Sequence, residues 1–132
     1  MDLDKGSHSV YNLNYHLVLV VKYRRNVIDE HISNRLKELF EYVGISYGIT
    51  ITEWNSDKDH IHCLFKAKPN TNISKFLNSY KSMSSRLIKK EYPIIRKLLW
   101  KEYFWSPSYC LITTGWTTIE VIKRYIESQG KD

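Results

Sequence analysis

The chain has few residues that interrupt secondary structure or cross-link a fold. It has three prolines, five glycines and two cysteines in 132 residues. Neither Cys63 nor Cys110 belongs to a Cys-x-x-Cys pair, which argues against a structural zinc site, and both lie in apolar segments typical of strands. No apolar run approaches the roughly 20 residues of a membrane span, and the start lacks the apolar stretch of a secretory signal. We therefore expect a cytoplasmic protein without a membrane span or disulfides.

The charge balance favours a polyanionic partner. Twenty Lys and Arg residues against 14 Asp and Glu give a net charge of +6 and a pI near 9.3. Such an excess is compatible with nucleic-acid binding but does not establish it. No Walker-type phosphate loop occurs, so we expect no use of ATP. The length is that of a single domain, which we assign to residues 1–132.

Hydrophobic periodicity and turn residues predict seven elements. The strands are expected at 13–23, 49–55, 60–67 and 103–113, with 56–59 as a polar linker. The helices are expected at 29–48, at 71–92 with Thr71 or Asn72 as its cap, and from a cap at Thr117 or Thr118 to Gly130. This order predicts an α+β protein with the ferredoxin-like split βαββαβ sheet and an extra C-terminal helix.

The run DHIHCLF (59–65) carries two histidines two residues apart. Alternation along a strand sends the rings of His60 and His62 to the same face. Two imidazoles placed in this way can bind a metal ion. They can also be ordinary polar residues on a solvated strand.

The last helix places Tyr125 and Gln129 one turn apart, beside an apolar stripe of Ile119, Ile122 and Ile126. A tyrosine there is usually a packing residue, but a glutamine against the core needs a polar partner. Gln129 could be a third metal ligand, and the helix would then carry the Tyr125 phenol to the ion. A nucleophile beside a Lewis acid suits phosphoryl transfer on nucleic acid, with a 5′-phosphotyrosine that conserves the phosphodiester.

A helical wheel over 73–90 separates an apolar stripe from a basic one. The apolar stripe consists of Ile73, Phe76, Tyr80, Met83 and Leu87. The opposite stripe consists of Lys75, Ser82, Arg86 and Lys89. A basic stripe is usually a solvated helix face. The functional alternative is a track for DNA phosphates, extended by Lys22, Arg24, Arg25, Lys66 and Lys68.

Five motifs together resemble the single-tyrosine HUH transposases of the insertion-sequence 200/605 type. They are KYRR (22–25), HIH (60–62), SYKSMSSR (79–86), WSPSY (105–109) and YIESQ (125–129), and the resemblance extends from about His16 to Gln129. It implies a ferredoxin-like homodimer that acts on single-stranded DNA, recognises hairpins near the ends of a mobile element and requires magnesium or manganese.

By this resemblance His60, His62 and Gln129 would be the metal ligands and Tyr125 the nucleophile. The resemblance also implies composite sites, with the histidines from one subunit and the tyrosine helix from the other, and Gly115 as a candidate hinge. Ser82 departs from the pattern, because relatives often have glycine in this stretch. Three acidic residues could supplement the metal site or orient a histidine, and the sequence does not choose among them: Glu53, Asp57 and Asp59.

Other functions stay open at this stage. A domesticated DNA-binding relative would retain the same motifs, and HUH replication nickases share the histidine pair but are usually larger. An RNA-recognition module is disfavoured because no strand has the glycine-and-aromatic motif of that class. Several aromatic residues could stack on unpaired bases, although most are expected in the core: Tyr15, Tyr23, Trp54, Tyr103, Trp105 and Trp116.

Overall fold

The computed structural model describes residues 3–6, 8–113 and 119–131. The main strands are β1 (Leu13–Val20), β2 (Thr50–Asp57), β3 (His60–Ala67) and β4 (Cys110–Thr113). The helices are α1 (Glu30–Ile45), α2 (Ile73–Glu91) and α3 (Ile119–Ser128). A small hairpin of Asp4–Lys5 with Val10–Tyr11 precedes β1. No described helix is both long and apolar enough to cross a bilayer.

The four main strands form one antiparallel sheet in the order β2-β3-β1-β4. Together with the chain order, this is the split βαββαβ arrangement, so the predicted α+β ferredoxin-like fold is confirmed. The register between β1 and β3 places Val20 opposite His60 and Val18 opposite His62. Residues directly opposite each other point to the same face of a sheet, so these four side chains share one face.

The two faces of the sheet carry separate apolar clusters. Leu17 and Leu19 belong to the large core under α1 and α2, whereas Val18 and Val20 point to the other face by strand alternation. There Val18 and Val20 form a small cluster with Ile122 of α3, and other side chains pack against it: Cys110, Tyr125 and Ile126. The helix that carries Tyr125 therefore covers the sheet face opposite the main core.

The helix caps follow from short polar side chains. Asp29 Oδ1 accepts a hydrogen bond from the Ile32 amide at 2.8 Å, and Asn72 Oδ1 accepts one from the Lys75 amide at 3.0 Å. Asn72 rather than Thr71 thus caps α2. Helix α1 ends at Ile45, three residues before the predicted end at Gly48, which has a positive φ of 69°. The predicted caps at Thr117 and Thr118 lie outside the described residues.

Three predicted boundaries were wrong. The linker between β2 and β3 is the two-residue turn 58–59, because β2 continues to Asp57, which pairs with His60. Strand β1 ends at Val20, since Tyr23 and Arg24 take positive φ values of 54° and 55° that no strand allows. Strand β4 begins at Cys110. Before it, within the described residues, only Trp105 keeps a strand-like bridge, to Val21, and Pro107 has no amide to donate.

The predicted helix stripes were correct only in part. The fully buried positions of α2 are Phe76, Leu77, Tyr80, Ser84 and Ile88. Met83 and Leu87 are only partly buried, so the buried face is rotated relative to the predicted one. In α3 Ile122 is buried, but Ile119 is 74% exposed and does not belong to the packed stripe.

Candidate active site

Three histidines lie on the sheet face that α3 covers. His16 has the same strand parity as Val18, which pairs with His62, so its ring points to the same side. The Nδ1 atom of His16 lies 2.9 Å from Nε2 of His62, and the rings stack with centroids 5.2 Å apart. Burial, together with the neighbouring His16, lowers the pKa of His62. Both effects favour the neutral imidazole, which is the form that binds metal ions.

Asp59 orients His60. Its Oδ1 atom lies 2.8 Å from His60 Nδ1, and its Oδ2 accepts a hydrogen bond from Arg24 Nε at 3.1 Å. A carboxylate on Nδ1 fixes the tautomer in which Nε2 carries the free lone pair, as in many metal-binding histidines. Burial raises the pKa of the Asp59 carboxyl, but hydrogen bonds from His60 and Arg24 outweigh it and hold the pKa below its usual value.

The structure distinguishes Asp59 from the other two candidate acids. Glu53 accepts a hydrogen bond from the Asn55 side chain at 3.2 Å, and Asp57 accepts one from the Lys58 amide at 2.7 Å. Asp59 is 9% exposed and makes the hydrogen bond to a histidine. Of the three, Asp59 is therefore the one that hydrogen-bonds a candidate ligand. Burial lowers the pKa of His16 and His62, and the charge of Glu53 opposes this effect by raising the pKa of both.

A second hydrogen-bonded group joins α3 to the segment before β4. The Tyr125 hydroxyl lies 2.8 Å from Ser108 Oγ. Ser108 and Ser106 donate to Gln129 Oε1 at 3.3 Å and 3.0 Å. Ser108 has one proton, which it can donate either to Gln129 or to the Tyr125 oxygen, and when Tyr125 receives it the hydrogen bond favours the phenolate. Burial raises the pKa of Tyr125, and the contact with Ser108 opposes this increase.

The histidines and Tyr125 lie on the same face of the sheet. Tyr125 packs on the cluster of Val18, Val20 and Ile122. His62 and His60 are the direct cross-strand partners of Val18 and Val20, and such pairs have Cβ atoms about 4.5–5.5 Å apart. The backbone amide of Ser106 donates to Val20 O at 2.8 Å, which anchors the serines to the same strand end. The structure thus places Tyr125, His60 and His62 on one sheet face, whereas α2 with its basic residues lies over the other face.

The donor set fits a divalent ion in part. His60 and His62 present two imidazoles, and Asp59 orients the first of them. Gln129 Oε1 accepts hydrogen bonds from two serines, so it would have to leave them in order to bind an ion. In the part of the chain that the structure describes, no group of three or more His, Cys, Asp and Glu residues could hold a metal. Any further ligand is therefore an amide, a solvent molecule or the substrate.

The predicted basic residues near β1 have different environments. Arg24 forms the ion pair with Asp59, and its side chain is only 20% exposed. Lys22 places its Nζ 5.0 Å from the Tyr23 ring centroid and 5.7 Å from that of Trp100. Arg25 is half-buried, and among the described residues its Nε has no hydrogen-bond partner. Arg24 is thus positioned to hold Asp59, while Lys22 lies beside aromatic rings.

The basic stripe of α2 is spread along the whole helix. Lys75 is exposed in the first turn, and Arg86 is exposed four turns from the start. Lys89 donates to the Glu102 carbonyl at 3.0 Å. The predicted contacts of these three residues with DNA stay predictions. The proposed hinge Gly115 and the aromatic Trp116 lie outside the described residues.

Four residues near the site were not assigned a role from the sequence: His16, Trp100, Ser106 and Ser108. The serines lie in the WSPSY motif, which contributed to the family resemblance but gave no chemical role to either serine. His16 alternates in step with Val18 and Val20, but its contact with His62 depends on a strand pairing across 46 residues. That pairing is visible only in the folded chain.

The sequence and the fold match known transposases. The family model described as "Transposase IS200 like" matches residues 9–129. The ISDra2 transposase TnpA of Deinococcus radiodurans is 34% identical over 129 residues, covering 98% of this chain and 92% of the relative. The transposase for insertion sequence element IS200 of Salmonella typhimurium is 28% identical over 127 residues, covering 93% and 80%.

Two solved structures extend the comparison. The crystal structure of a transposase from Deinococcus radiodurans R1 superposes with a TM-score of 0.89 at 30% identity, covering 98% of this chain and 99% of that one. The REP-associated tyrosine transposase bound to a REP hairpin gives a TM-score of 0.60 at 12% identity, covering 98% and 70%, and shares the fold. The chain therefore belongs to the IS200-like transposase family.

Proposed function

We propose that this transposase cuts and rejoins single-stranded DNA through a covalent bond to Tyr125. The observation that carries the proposal is the position of the phenol on the small cluster whose two valines pair directly with His60 and His62. A nucleophile and two metal-binding side chains on one sheet face are the parts that phosphoryl transfer requires.

The chemistry assigned to these residues is a bond exchange. The phenolic oxygen of Tyr125 attacks the scissile phosphorus, the bond to the 3′ oxygen breaks, and a 5′-phosphotyrosine and a free 3′ hydroxyl result. A second 3′ hydroxyl can then attack the phosphotyrosine and release the phenol. The number of phosphodiester bonds is conserved over the two steps, so no ATP is consumed. Over this first step the phenol proton ends on the freed 3′ oxygen, and Ser108 holds the phenol by a hydrogen bond before the attack.

A divalent ion, magnesium or manganese, is part of the proposal. His60 and His62 would hold it, with Gln129 as an additional ligand once it leaves Ser106 and Ser108. When bound, such an ion polarises the phosphate and stabilises the negative charge on the leaving oxygen. Asp59 keeps His60 in the ligating tautomer.

We extend the proposal to the substrate and the assembly. One neighbour of the same fold is described as bound to a REP hairpin, and we propose hairpins at the ends of a mobile element as the substrate of this chain. The net charge of +6 supports a single-stranded DNA partner. The active form is proposed to be a cytoplasmic homodimer with composite sites, in which α3 leaves the sheet face of its own subunit and brings Tyr125 to the histidines of the other. The whole chain, 1–132, is proposed to be one catalytic domain.

The decisive experiment detects the covalent intermediate. Single-stranded oligonucleotides that cover both genomic flanks of the gene, including any hairpins, are incubated with the protein and Mg²⁺ or Mn²⁺ and resolved on a denaturing gel. We expect a protein–DNA adduct with the wild type and none with Tyr125→Phe, His62→Ala or EDTA. Tyr42→Phe, which alters a tyrosine on α1 that is 66% exposed, is the matched control and should retain the adduct. DNA binding without an adduct would indicate a domesticated DNA-binding relative instead.

A further inference from the structure

A cavity of about 570 Å³ lies beside the candidate active site. Its aromatic wall includes Trp100, Tyr103 and Trp105 from the segment between α2 and β4. Its other wall presents Ser82 and Ser85 of α2. Three lysines also line the cavity: Lys22, Lys81 and Lys101. Aromatic rings, hydroxyls and cations around one cavity are the groups that bind a nucleotide.

The aromatic wall contains a short stack that an additional ring can extend. The rings of Trp100 and Tyr103 are nearly parallel, at 25°, with centroids 5.9 Å apart. Tyr23 meets Trp100 edge-on at 5.1 Å and fixes its orientation. Tyr103 is 57% exposed although its ring contacts that of Trp100. Every nucleobase has a π-face that can stack on such a ring.

The lysines have two different functions in this cavity. Lys81 donates to the Ser106 and Pro107 carbonyls at 2.8 Å and 3.2 Å, so it supports the wall. Lys101 Nζ lies 4.6 Å from the Trp100 ring centroid, and Lys22 Nζ lies 5.7 Å from it. Within the described part of the chain, these two ammonium groups contact aromatic rings and form no ion pair with a carboxylate. They remain able to bind a phosphate while the stack holds the attached base.

The backbone on both sides of the cavity is strained. Among the residues that the structure describes, four other than glycine have positive φ: Tyr23 and Arg24 at 54° and 55°, and Lys101 and Glu102 at 48° and 62°. Residues other than glycine rarely adopt this backbone conformation. It persists where the surrounding structure enforces it, often at functional sites. Here the two strained pairs are held near each other by the Tyr23–Trp100 contact and by the hydrogen bond from the Lys22 amide to Phe104 O at 2.9 Å.

The cavity adjoins the candidate catalytic group. Ser106 lines the cavity, and its hydroxyl donates to Gln129, which shares Ser108 with Tyr125. The positively charged rim favours nucleic acid over a second copy of this basic chain, because lysine-rich surfaces repel each other. A single strand that reaches Tyr125 would therefore pass the mouth of this cavity.

We propose that this cavity binds one unpaired nucleotide flanking the scissile phosphate. The base stacks on the Trp100–Tyr103 pair, and its phosphate contacts Lys22 and Lys101. This inference rests on the proposed function, because it assumes that single-stranded DNA is the substrate. It adds a position at which side chains of the protein contact an unpaired base.

The test measures binding separately from cleavage. In a Tyr125→Phe background, fluorescence anisotropy gives the affinity for a fluorescein-labelled single strand from the gene's flank and for copies with one abasic site at each position in turn. We expect Tyr103→Ala to bind the intact strand about 10-fold more weakly, as for the loss of one stacked base. One abasic position should reproduce that loss with Tyr103 present and cause no further loss in Tyr103→Ala.

Controls make the outcomes decisive. Trp100→Phe preserves a stacking ring and should bind within about 2-fold of the parent, whereas Trp100→Ala should bind as weakly as Tyr103→Ala. Tyr42→Ala, at an exposed tyrosine on α1, should have no effect. If Tyr125 forms the adduct but neither Tyr103→Ala nor Trp100→Ala changes affinity at any position, the nucleotide site is overturned and the proposed function stands. If those variants change only the elution volume on gel filtration, the surface is an interface between copies and the inference is again overturned.

Discussion

His16 and His62 come from different strands, and their ring nitrogens Nδ1 and Nε2 lie 2.9 Å apart. At this distance one ring must donate and the other accept, or both lone pairs must point at a common cation. In either arrangement His16 determines the orientation of a residue that we assign as a metal ligand. The position of a metal ion bound by His62 would then depend on a histidine 46 positions away in the sequence.

Replacing His16 should therefore weaken metal binding. We expect His16→Ala to lower the affinity for Mn²⁺ by about 10- to 100-fold, the usual effect of removing a residue that positions a metal-binding histidine. Isothermal titration calorimetry with Mn²⁺ and no DNA measures this directly. His31→Ala changes an exposed histidine on α1 and serves as the control. Unchanged or tighter binding by His16→Ala would mean that His16 competes with the ion.

Asp59 provides the corresponding support for His60. In Asp59→Asn the carboxylate that contacts His60 Nδ1 and pairs with Arg24 is lost, so the ligating tautomer is no longer fixed. We expect Mn²⁺ affinity about 10- to 100-fold lower and a parallel loss of adduct formation.

The control is Asp57→Asn, two residues away, where the carboxylate contacts only the Lys58 amide among the contacts that the structure describes. It should retain both metal affinity and adduct formation. Equal loss in the two variants would show that the general negative charge of the turn matters, and not the contact with His60.

The Ser108 hydroxyl affects the protonation of Tyr125. Its hydrogen bond lowers the pKa of the phenol against the effect of burial, so Ser108→Ala should raise that pKa. At a pH below the phenol pKa a smaller fraction is then phenolate, and the rate of adduct formation should fall about 5-fold, as expected for one hydrogen bond of about 1 kcal/mol.

A pH–rate profile of adduct formation checks the predicted direction of the change in the Tyr125 pKa. The alkaline rise should move to higher pH in Ser108→Ala and return toward the wild-type position in Ser108→Thr, which restores a hydroxyl. Loss of activity with an unchanged profile would assign Ser108 a purely structural function.

Patterns among neighbouring residues predicted parts of this structure, whereas contacts between segments that are distant in the sequence could not be predicted. Strand alternation is a property of neighbouring residues, so the shared face of His60 and His62 was predictable and its sheet confirmed it. The sequence could not show that Asp59 rather than Asp57 contacts His60. This contact depends on a turn of only two residues, 58–59, and the polar composition of the linker does not give the length of the turn. The contact of Ser84 with Trp105 could not be predicted for a similar reason. A buried serine on α2 can be assigned a hydrogen bond only when its partner, which comes from another segment, is known.

Ser84 supports the segment that carries the site serines. It is fully buried on α2, and its hydroxyl accepts a hydrogen bond from Trp105 Nε1 at 2.9 Å. Ser84→Ala would leave the indole N–H buried without an acceptor, at a cost of about 1–3 kcal/mol in the free energy of unfolding. Urea denaturation should record this loss. Ser82→Ala on the exposed side of the same helix should change stability by less than about 0.5 kcal/mol. Because Trp105 directly precedes Ser106, Ser84→Ala should also slow adduct formation, and a stability equal to that of Ser82→Ala would contradict the assigned hydrogen bond.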